Sequence, residues 1–523
     1  MFSKAYGAAV TGIEASVVRA EADVSDGLPA FEMVGYLASE VRETRERVRI
    51  ALKNSGWRLP PKKITVNLSP ADLRKEGTAY DLAVAAAVLA AFGMIPGTLL
   101  QSVLFAGELS LNGTVNPVRG ILPIVCEAKR QGFLLCLIPE ANAAEGALVS
   151  GIEVAGIRTL REMISILKGE DYRAVRPDTG LAPEGGAAPG LSPGKKSDAL
   201  DFADINGQQA AKRAAEIAAA GMHNLLLVGP PGTGKTMLAS RIPTILPGLN
   251  PEESLEITKI YSVAGRLKEG KPMITDRSFL SPHHTITAAA MAGGGKRPLP
   301  GIISLAHKGV LFLDELPEFR REALELLRQP MEENQVTIAR LHGICRYPAD
   351  FLLLAAMNPC PCGYYPDRTR CGCTLRQVTK YLGRISGPLL DRIDLSVEMP
   401  QPDYRELTAD ISGNESSAAI RERVESARRI QAERFRNDAI RFNSQMNAGL
   451  LAKYCSLGQK EKELAERAFT RFGLSMRAYH RLLKTARTIA DLDGSEEIRI
   501  RHISEALCFR VMDEARLREE ENC

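Results

Sequence analysis

The chain has 523 residues, of which 45% are hydrophobic and 25% are charged, with a formal net charge of +4 and ten cysteines. This length favours two or three domains, because each would be large enough to bury its own core. No stretch approaches the roughly 20 apolar residues of a membrane-spanning helix. Since no signal segment follows Met1, we expect a cytoplasmic protein without membrane partners. The small net charge requires any contact with nucleic acid to come from local basic loops.

The first part of the chain is predicted to be a mixed α/β domain followed by a linker. Residues 1–168 alternate β-like runs such as 64–68 with apolar helical stretches such as 80–92. Residues 169–200 separate this domain from the next, and within them 177–196 is rich in Pro, Gly and Ala but poor in large apolar residues. This composition predicts a flexible linker.

The rest of the chain is predicted to form a second α/β domain and a helical lid. Residues 201–402 again alternate strands and helices, the pattern of a parallel sheet with crossover helices. Residues 403–523 are almost wholly helical, with apolar residues at helical spacing through 420–435, 461–471 and 476–492.

A phosphate-binding loop follows the buried strand predicted at 225–228, and a helix begins directly after the loop. Glycines allow backbone N–H groups to turn inward around phosphates, and the helix N-terminus adds partial positive charge. We expect Lys235 to meet the β- and γ-phosphates and Thr236 to hold Mg2+. A Gly-rich turn without function would rarely match this motif with both flanks correct. The residues predicted to bind ATP in this loop are Gly229, Pro230, Pro231, Gly232, Thr233, Gly234, Lys235 and Thr236.

Polar residues follow the next two predicted strands. The strand at 310–313 ends in Asp314 and Glu315, at the strand end where ligands bind in parallel sheets. Asp314 is predicted to hold Mg2+, and Glu315 to orient and polarise the attacking water. Asn358 follows the strand at 351–356 and could hold the water or the γ-phosphate, although an Asn in this position is often only a turn former.

Several longer segments resemble one branch of the AAA+ ATPases. They are residues 201–208, 277–285, 303–319, 385–394 and 473–478. With the phosphate-binding loop, they are similar to the magnesium-chelatase-related AAA+ proteins of the ComM (YifB-like) type over nearly the whole chain. The resemblance implies an α/β AAA+ core with a parallel sheet and a C-terminal helical lid, binding ATP and Mg2+.

The same resemblance implies a hexameric ring with ATP between the subunits. Arg392 would then reach into the neighbouring site as an arginine finger, with Arg384 as the second candidate. Arg477 would contact the γ-phosphate of its own subunit, and residues 205–208 would lie against the adenine. Without the family, each arginine would be interpreted as a solvated charge. With it, Glu315, Asn358, Arg392 and Arg477 form the predicted catalytic set.

Proteins of this branch carry hairpins that point toward the pore of the ring, and two basic stretches of this chain fit them. One is the tip at 293–300 and the other is the β-like pair at 335–347. Their basic residues would donate hydrogen bonds to the backbone of single-stranded or branched DNA. The alternative is that they are ordinary exposed loop charges. The predicted DNA contacts are Lys296, Arg297, Arg340, His342 and Arg346.

The first domain resembles the proteolytic domain of Lon proteases at residues 75–85 and 107–121. That family uses a Ser nucleophile activated by a Lys, whereas this chain has Ala79 and Leu122 at the matching positions. Neither side chain can attack a carbonyl or accept a proton. We therefore predict an α+β Lon-like fold without protease chemistry, serving assembly or DNA contact as in the RadA recombination protein. The basic residues of one segment could also contact DNA, although a solvated helix face is the favoured interpretation: Arg42, Arg45, Arg47 and Arg49.

Four of the ten cysteines cluster directly after Asn358. In a cytosolic protein, this clustering favours metal over disulfides, and four thiolates could hold a structural Zn2+. The usual pairs have two intervening residues rather than one, so free thiols and a redox pair remain alternatives. The predicted zinc ligands are Cys360, Cys362, Cys371 and Cys373.

Three functions compete for this chain. The resemblance favours an ATP-driven DNA motor, a branch-migration helicase or translocase acting on recombination intermediates as in natural transformation, with recombination proteins as possible partners. The same motor could instead drive metal insertion into a tetrapyrrole. An ATP-dependent protease is excluded by Ala79 and Leu122.

Overall fold

The structure, a computed structural model, describes residues 1–170, 174, 200–268, 270–295, 298–340, 343–402 and 414–510. Its first 170 residues contain a seven-stranded sheet, a two-stranded ribbon and short to medium helices. The strands are β1 (Phe2–Thr11), β2 (Glu14–Ser25), β3 (Ala30–Val34), β4 (Lys63–Ser69), β5 (Val103–Phe105), β6 (Glu108–Leu109), β7 (Val115–Asn116), β8 (Leu135–Pro139) and β9 (Glu153–Ile157). The helices are α1 (Ser39–Arg42), α2 (Thr44–Asn54), α3 (Asp81–Ala91), α4 (Ile121–Arg130), α5 (Glu140–Gly146) and α6 (Leu160–Leu167).

The large sheet of this first domain has the strand order β3-β4-β2-β1-β5-β8-β9. Strands β1, β2 and β4 pair antiparallel, and the other pairs are parallel. β4 alternates buried and half-buried residues, so Ile64, Val66 and Leu68 all face the core, as the period of two requires. Helix α3, which is nearly all Ala, Val and Leu, is buried almost throughout and packs on β1 and β2. This mixed architecture confirms the predicted α+β domain.

The second domain contains a five-stranded sheet, two hairpins and flanking helices. Its strands are β10 (Leu225–Val228), β11 (Phe279–Leu280), β12 (Gly293–Gly294), β13 (Leu299–Pro300), β14 (Val310–Leu313), β15 (Gln335–Arg340), β16 (Gly343–Pro348), β17 (Leu352–Met357) and β18 (Leu395–Glu398). Its helices are α7 (Gln209–Gly221), α8 (Lys235–Ile245), α9 (Pro251–Ala264), α10 (Ala288–Ala292), α11 (Ile302–Leu305), α12 (Arg321–Glu325), α13 (Pro330–Glu333), α14 (Leu375–Leu382) and α15 (Gly387–Leu390).

The sheet is parallel, in the order β11-β14-β17-β10-β18. The four-residue runs of β10 and β14 are wholly buried, as expected for strands that are covered on both faces. Because β17 lies between β10 and β14, the residues that follow these three strands meet at one edge of the sheet. This arrangement confirms the predicted parallel-sheet core.

Helices complete the described chain and form the predicted lid. They are α16 (Ser417–Arg434), α17 (Ala448–Tyr454), α18 (Gln459–Arg471), α19 (Met476–Leu492) and α20 (Ile500–Cys508). Helix α16 packs on α7 and α8, and α19 packs on α7, so the lid shares one apolar cluster with the core sheet.

The first domain packs against the second through α4 and α9. The Gly120 N–H donates to the carbonyl of Ser262 at 3.3 Å, and the Ser262 hydroxyl donates to Glu145. Glu145 is buried, which raises the pKa of its carboxyl group. Val10 and Ile13, at the turn between β1 and β2, pack against the cluster that includes hairpin β15–β16. The two domains therefore meet at a polar joint and at an apolar one.

The predicted linker lies almost entirely outside the described residues. No helix in the described part of the chain is both long enough and apolar enough to cross a bilayer.

Candidate active site

The phosphate-binding loop runs from the end of β10 to the start of α8. Gly232 and Gly234 have φ values of +82° and +86°, which glycine adopts at little cost. Gly229 is in close contact with the chain after β18, since a Cβ there would lie 2.3 Å from the Met399 carbonyl oxygen. These positions explain why the loop needs glycine.

Lys235 is the first residue of α8, and its ammonium group lies inside this loop. It donates to the carbonyls of Gly229 and Pro230 at 2.7 and 2.8 Å, and to the Asn358 side-chain oxygen at 3.2 Å. Burial lowers the pKa of Lys235, while Asp314 acts in the opposite direction. The structure thus brings together the predicted phosphate contact and the predicted polar residue after β17.

Thr236 and Asp314 also meet at this edge. The Thr236 hydroxyl donates to Asp314 Oδ2 at 2.8 Å, and the Glu315 N–H donates to Oδ1 of the same carboxylate at 2.9 Å. A hydroxyl and a carboxylate in contact are the oxygen donors that Mg2+ prefers beside nucleotide phosphates. The two residues therefore fit the predicted Mg2+ site.

Glu315 adopts a left-handed backbone conformation, with φ of +52°. For a residue with a side chain this costs on the order of 1 kcal/mol, and such strain is concentrated at functional sites. Its carboxylate lies 3.3 Å from Nδ1 of His284, and the ring of His283 packs on that of His284 with centroids 4.0 Å apart. His284 follows β11, which lies next to β14 in the sheet, so it reaches Glu315 from the neighbouring strand.

The segment predicted to face the adenine lies next to the phosphate-binding loop. Gln208, with φ of +55°, donates to the Pro400 carbonyl at 2.8 Å and to the Thr233 carbonyl at 3.5 Å. Asn206 accepts a hydrogen bond from Asn414 at 2.6 Å. These contacts join the loop, the end of β18 and the start of the lid.

Arg392 and Arg477 lie together. Arg392 donates to the Pro388 carbonyl at 2.5 Å and forms an ion pair with Glu332, and Arg477 lies 3.9 Å from the same carboxylate. Both arginines and Glu332 line a cavity of about 450 Å³. No residue of the phosphate-binding loop is among the described residues that line it.

The contact of Arg477 with the γ-phosphate of its own subunit stays a prediction, and in this structure Arg477 shares a cavity with Arg392. Arg481, one turn further along α19, donates to the Leu390 and Ile393 carbonyls and thereby ties the start of the helix to the segment around Arg392. Arg384, the second finger candidate, instead pairs with Glu318 at 2.7 Å.

The four clustered cysteines are close in space. Their sulfur atoms all lie within 4.8 Å of one another. The N–H groups of Gly363 and Tyr365 donate to Cys360 Sγ at 3.2 and 3.4 Å. A hydrogen bond from the Tyr364 backbone is the main cause that lowers the pKa of Cys362 to about 6. Four sulfur donors at this separation fit a tetrahedral Zn2+ site.

Of the predicted DNA contacts, Arg346 is exposed on β16. Lys296, Arg297, His342 and the side chain of Arg340 lie outside the described residues. The buried Tyr347 donates through its hydroxyl to the Pro298 carbonyl at 2.7 Å. This bond joins hairpin β15–β16 to hairpin β12–β13.

In the first domain, Leu122 is fully buried, and its N–H donates to Glu145 at 2.9 Å. Arg47 does not belong to a solvated basic face, because it forms a 2.8 Å ion pair with the fully buried Asp81. Arg45 and Arg49 are exposed beside Glu46.

Sequence reasoning assigned no role to His284 or Glu332. In the sequence, His283 and His284 are recognisable only as part of the family segment 277–285. Because they are far from Glu315 along the chain, the sequence does not indicate the contact. Glu332 belongs to none of the motifs found in the sequence, so no sequence signal distinguishes it from other exposed acidic residues.

This fold and site define a P-loop ATPase of the AAA+ class. The family model described as Magnesium chelatase, subunit ChlI, matches residues 201–407. Two related models, Subunit ChlI of Mg-chelatase and Magnesium chelatase, subunit ChlI C-terminal, match residues 20–142 and 414–510.

The chain belongs to the ComM/YifB family of magnesium-chelatase-related AAA+ proteins. It is 42% identical to Competence protein ComM of Haemophilus influenzae, over 97% of each chain. It is 42% identical to the uncharacterized protein YifB of Escherichia coli, over 97% of this chain and 96% of that protein. A Mycobacterium tuberculosis protein, also named uncharacterized, is 43% identical over 97% of this chain and 98% of its own length. The amino-terminal region is also similar to Lon protease 2 of Bacillus subtilis, at 29% identity over 162 residues, or 29% of each chain.

Proposed function

We propose that this chain is an ATP-hydrolysing motor that works as a hexameric ring with nucleotide between its subunits. The observation that carries this proposal is the separation of two sets of groups within one chain. Lys235, Asp314 and Glu315 converge at the sheet edge, whereas Arg392 and Arg477 converge on Glu332. An arginine finger must reach the γ-phosphate, so a second copy of the chain would complete each site.

Within that site the residues have separate tasks. The backbone of the phosphate-binding loop and Lys235 bind the phosphates, and Thr236 with Asp314 holds Mg2+, which neutralises phosphate charge when bound. Glu315 orients and polarises the attacking water, and Asn358 holds that water or the γ-phosphate. Arg392 meets the charge on the γ-phosphate of the neighbouring subunit. We extend this role in trans to Arg477, because Glu332 contacts both guanidinium groups.

The substrate that we propose is DNA, single-stranded or branched, moved through the ring in the cytoplasm during natural transformation, with recombination proteins as partners. Support comes from the relative that is named a competence protein and from the exposed Arg346 on a hairpin that is bonded to the second basic hairpin. Contacts of Arg and Lys with phosphates do not depend on base sequence.

The test is the rate of ATP hydrolysis with and without single-stranded, duplex and four-way-junction DNA. We expect stimulation that is strongest with single-stranded or junction DNA, together with junction unwinding that requires ATP and Mg2+. An ATPase that responds to none of these DNAs would contradict the DNA motor.

That result would favour the second candidate, a motor subunit for metal insertion into a tetrapyrrole, because the matching family models are named for magnesium chelatase. In neither case do we propose a protease, since Ala79 and Leu122 cannot form a Ser/Lys dyad.

We also propose that Cys360, Cys362, Cys371 and Cys373 hold one structural Zn2+. Protein purified under reducing conditions should carry about one zinc per chain. The double substitution Cys371→Ser and Cys373→Ser should release it and lower the melting temperature, because metal binding orders a loop that is too short to form its own core. Metal-free wild-type protein would contradict the site.

A further inference from the structure

The four-cysteine loop, residues 360–373, contacts the phosphate-binding loop at Gly363. This glycine has φ of +90°, and a Cβ there would lie 2.6 Å from Cδ of Pro231. Its N–H donates to Cys360 Sγ, so the same residue that contacts Pro231 is also bonded to a cysteine of the cluster. The approach of the two loops therefore leaves no room for a side chain between them.

A second connection runs through Asn358, which lies two residues before Cys360. Its side-chain oxygen accepts from Lys235, and its backbone lies close to the side chain of Tyr381 on α14. Burial raises the pKa of Tyr381 to about 12, so the phenol stays protonated. Buried Cys360 and Cys371 pack with Val378 of the same helix.

A third connection reaches the end of β18. The guanidinium group of Arg370 packs on the ring of Tyr364, 4.2 Å from its centroid, and donates to the Gln401 side chain at 2.5 Å. Gln401 directly follows Pro400, which accepts a hydrogen bond from Gln208. The loop therefore contacts the phosphate-binding loop directly and reaches the segment beside the predicted adenine position through Gln401.

We propose that the four-cysteine loop is a brace for the nucleotide site, so that zinc bound to it sets the affinity of the chain for ATP. This inference rests on the proposed ATPase site and on the proposed zinc. Metal ligation orders the loop, and the ordered loop holds Pro231 and Asn358 in place. A preorganised site binds more tightly because less ordering free energy is spent on binding.

The first experiment changes the contact between Gly363 and Pro231 while zinc stays bound. Gly363→Ala inserts a methyl group against Pro231 under a positive φ, whereas Gly372→Ala, in the same loop, has no neighbouring atom within 4 Å of the added Cβ. Both variants should keep about one zinc per chain. Gly363→Ala should weaken binding of Mg–ATP about ten-fold, and Gly372→Ala should change it less than about two-fold. Equal affinities in the two variants would overturn the proposal.

The second experiment uses the wild-type chain, so it does not depend on a variant that folds. Zinc is removed with a zinc-selective chelator, Mg–ATP affinity is measured by a fluorescent nucleotide analogue, and Zn2+ is then added back. We expect the affinity to fall and recover, with circular dichroism showing that the helices persist. An affinity for Mg–ATP that does not depend on zinc would contradict the proposed brace but not the proposed ATPase function. Wild-type protein with zinc that fails to bind Mg–ATP would overturn both.

Discussion

The first domain and the ATPase core differ in how they use their polar groups. In the first domain, Asp81 is fully buried and accepts hydrogen bonds from Thr44, from Arg47 and from the Leu109 N–H. In the core, Asp314 and Glu315 stand at a sheet edge, where Asp314 accepts from the exposed Thr236 and Glu315 lies beside the half-buried His284. A carboxylate whose lone pairs are all used by the fold stabilises structure, whereas one at an accessible edge is available for a ligand.

At the contact between the two domains, a buried carboxylate of the first domain is also used by the fold. Leu122, at the position of the Lon lysine, is buried, and its N–H donates to Glu145, which also accepts from Ser262 of the core. This part of the Lon-like fold thus contacts the ATPase core. The first domain thus satisfies Asp81 internally and uses Glu145 to contact the second domain.

The largest expected effect contrasts two carboxylates. Glu315→Gln should reduce hydrolysis by about 10³-fold while ATP still binds, since the amide keeps the shape but loses the charge that polarises water. Asp81→Asn should instead lower the melting temperature, because it breaks a buried ion pair, and leave turnover per folded chain near normal. Hydrolysis rates and thermal melts on both variants test the contrast. Near-normal turnover by Glu315→Gln would remove that residue from its role.

A loss of similar size is expected from Arg392→Ala, because its guanidinium is proposed to act on the neighbouring nucleotide. Mixing this variant with Lys235→Ala chains should partly restore hydrolysis, since each kind of chain supplies what the other lacks. Arg384→Ala is the matched control, and restoration with that variant but not with Arg392→Ala would reverse the assignment.

A smaller effect, about ten-fold, is expected on DNA affinity when Arg340 and Arg346 are both replaced by Ala. Binding should also become less sensitive to salt, because fewer counterions are displaced. Arg421 and Arg423 look equivalent in sequence, but Arg421 donates to the Thr244 carbonyl and Arg423 pairs with Glu216, so they are unsuitable as controls.

Arg45 and Arg49 of the first domain are exposed beside the acidic Glu46, as a solvated helix face predicts, and therefore serve as controls for that experiment. Replacing both by Ala should leave the salt dependence of binding and the DNA-stimulated ATPase rate nearly unchanged. If both double variants lose the same DNA affinity, the hairpin arginines contribute only general surface charge and not a specific DNA contact.

The smallest effect concerns His284, which contacts Glu315. His284→Ala should lower kcat about five-fold with KM for ATP unchanged, because it frees the Glu315 carboxylate without touching the phosphate contacts. His284→Asn, which retains a polar side chain, should recover part of the rate. A change confined to KM would indicate a structural role instead.

Sequence alone identified the groups whose geometry depends on a few adjacent residues. The phosphate-binding loop, Asp314, Glu315 and Asn358 each follow a buried strand, and parallel strands bring their ends to one edge, so their meeting could be predicted. The α/β core, the helical lid and the Lon-like domain followed in the same way from periodicity and resemblance.

Tertiary structure decided the contacts between residues that are distant in the chain. Three contacts have no local signal in the sequence. They are the contact of His284 with Glu315, the shared partner Glu332 of Arg392 and Arg477, and the approach of Gly363 to Pro231. The same is true of Arg47, which appeared to be one of four surface arginines but pairs with a buried carboxylate 34 positions away. Such pairings depend on how helices and loops pack, because packing determines which side chains lie within hydrogen-bonding distance.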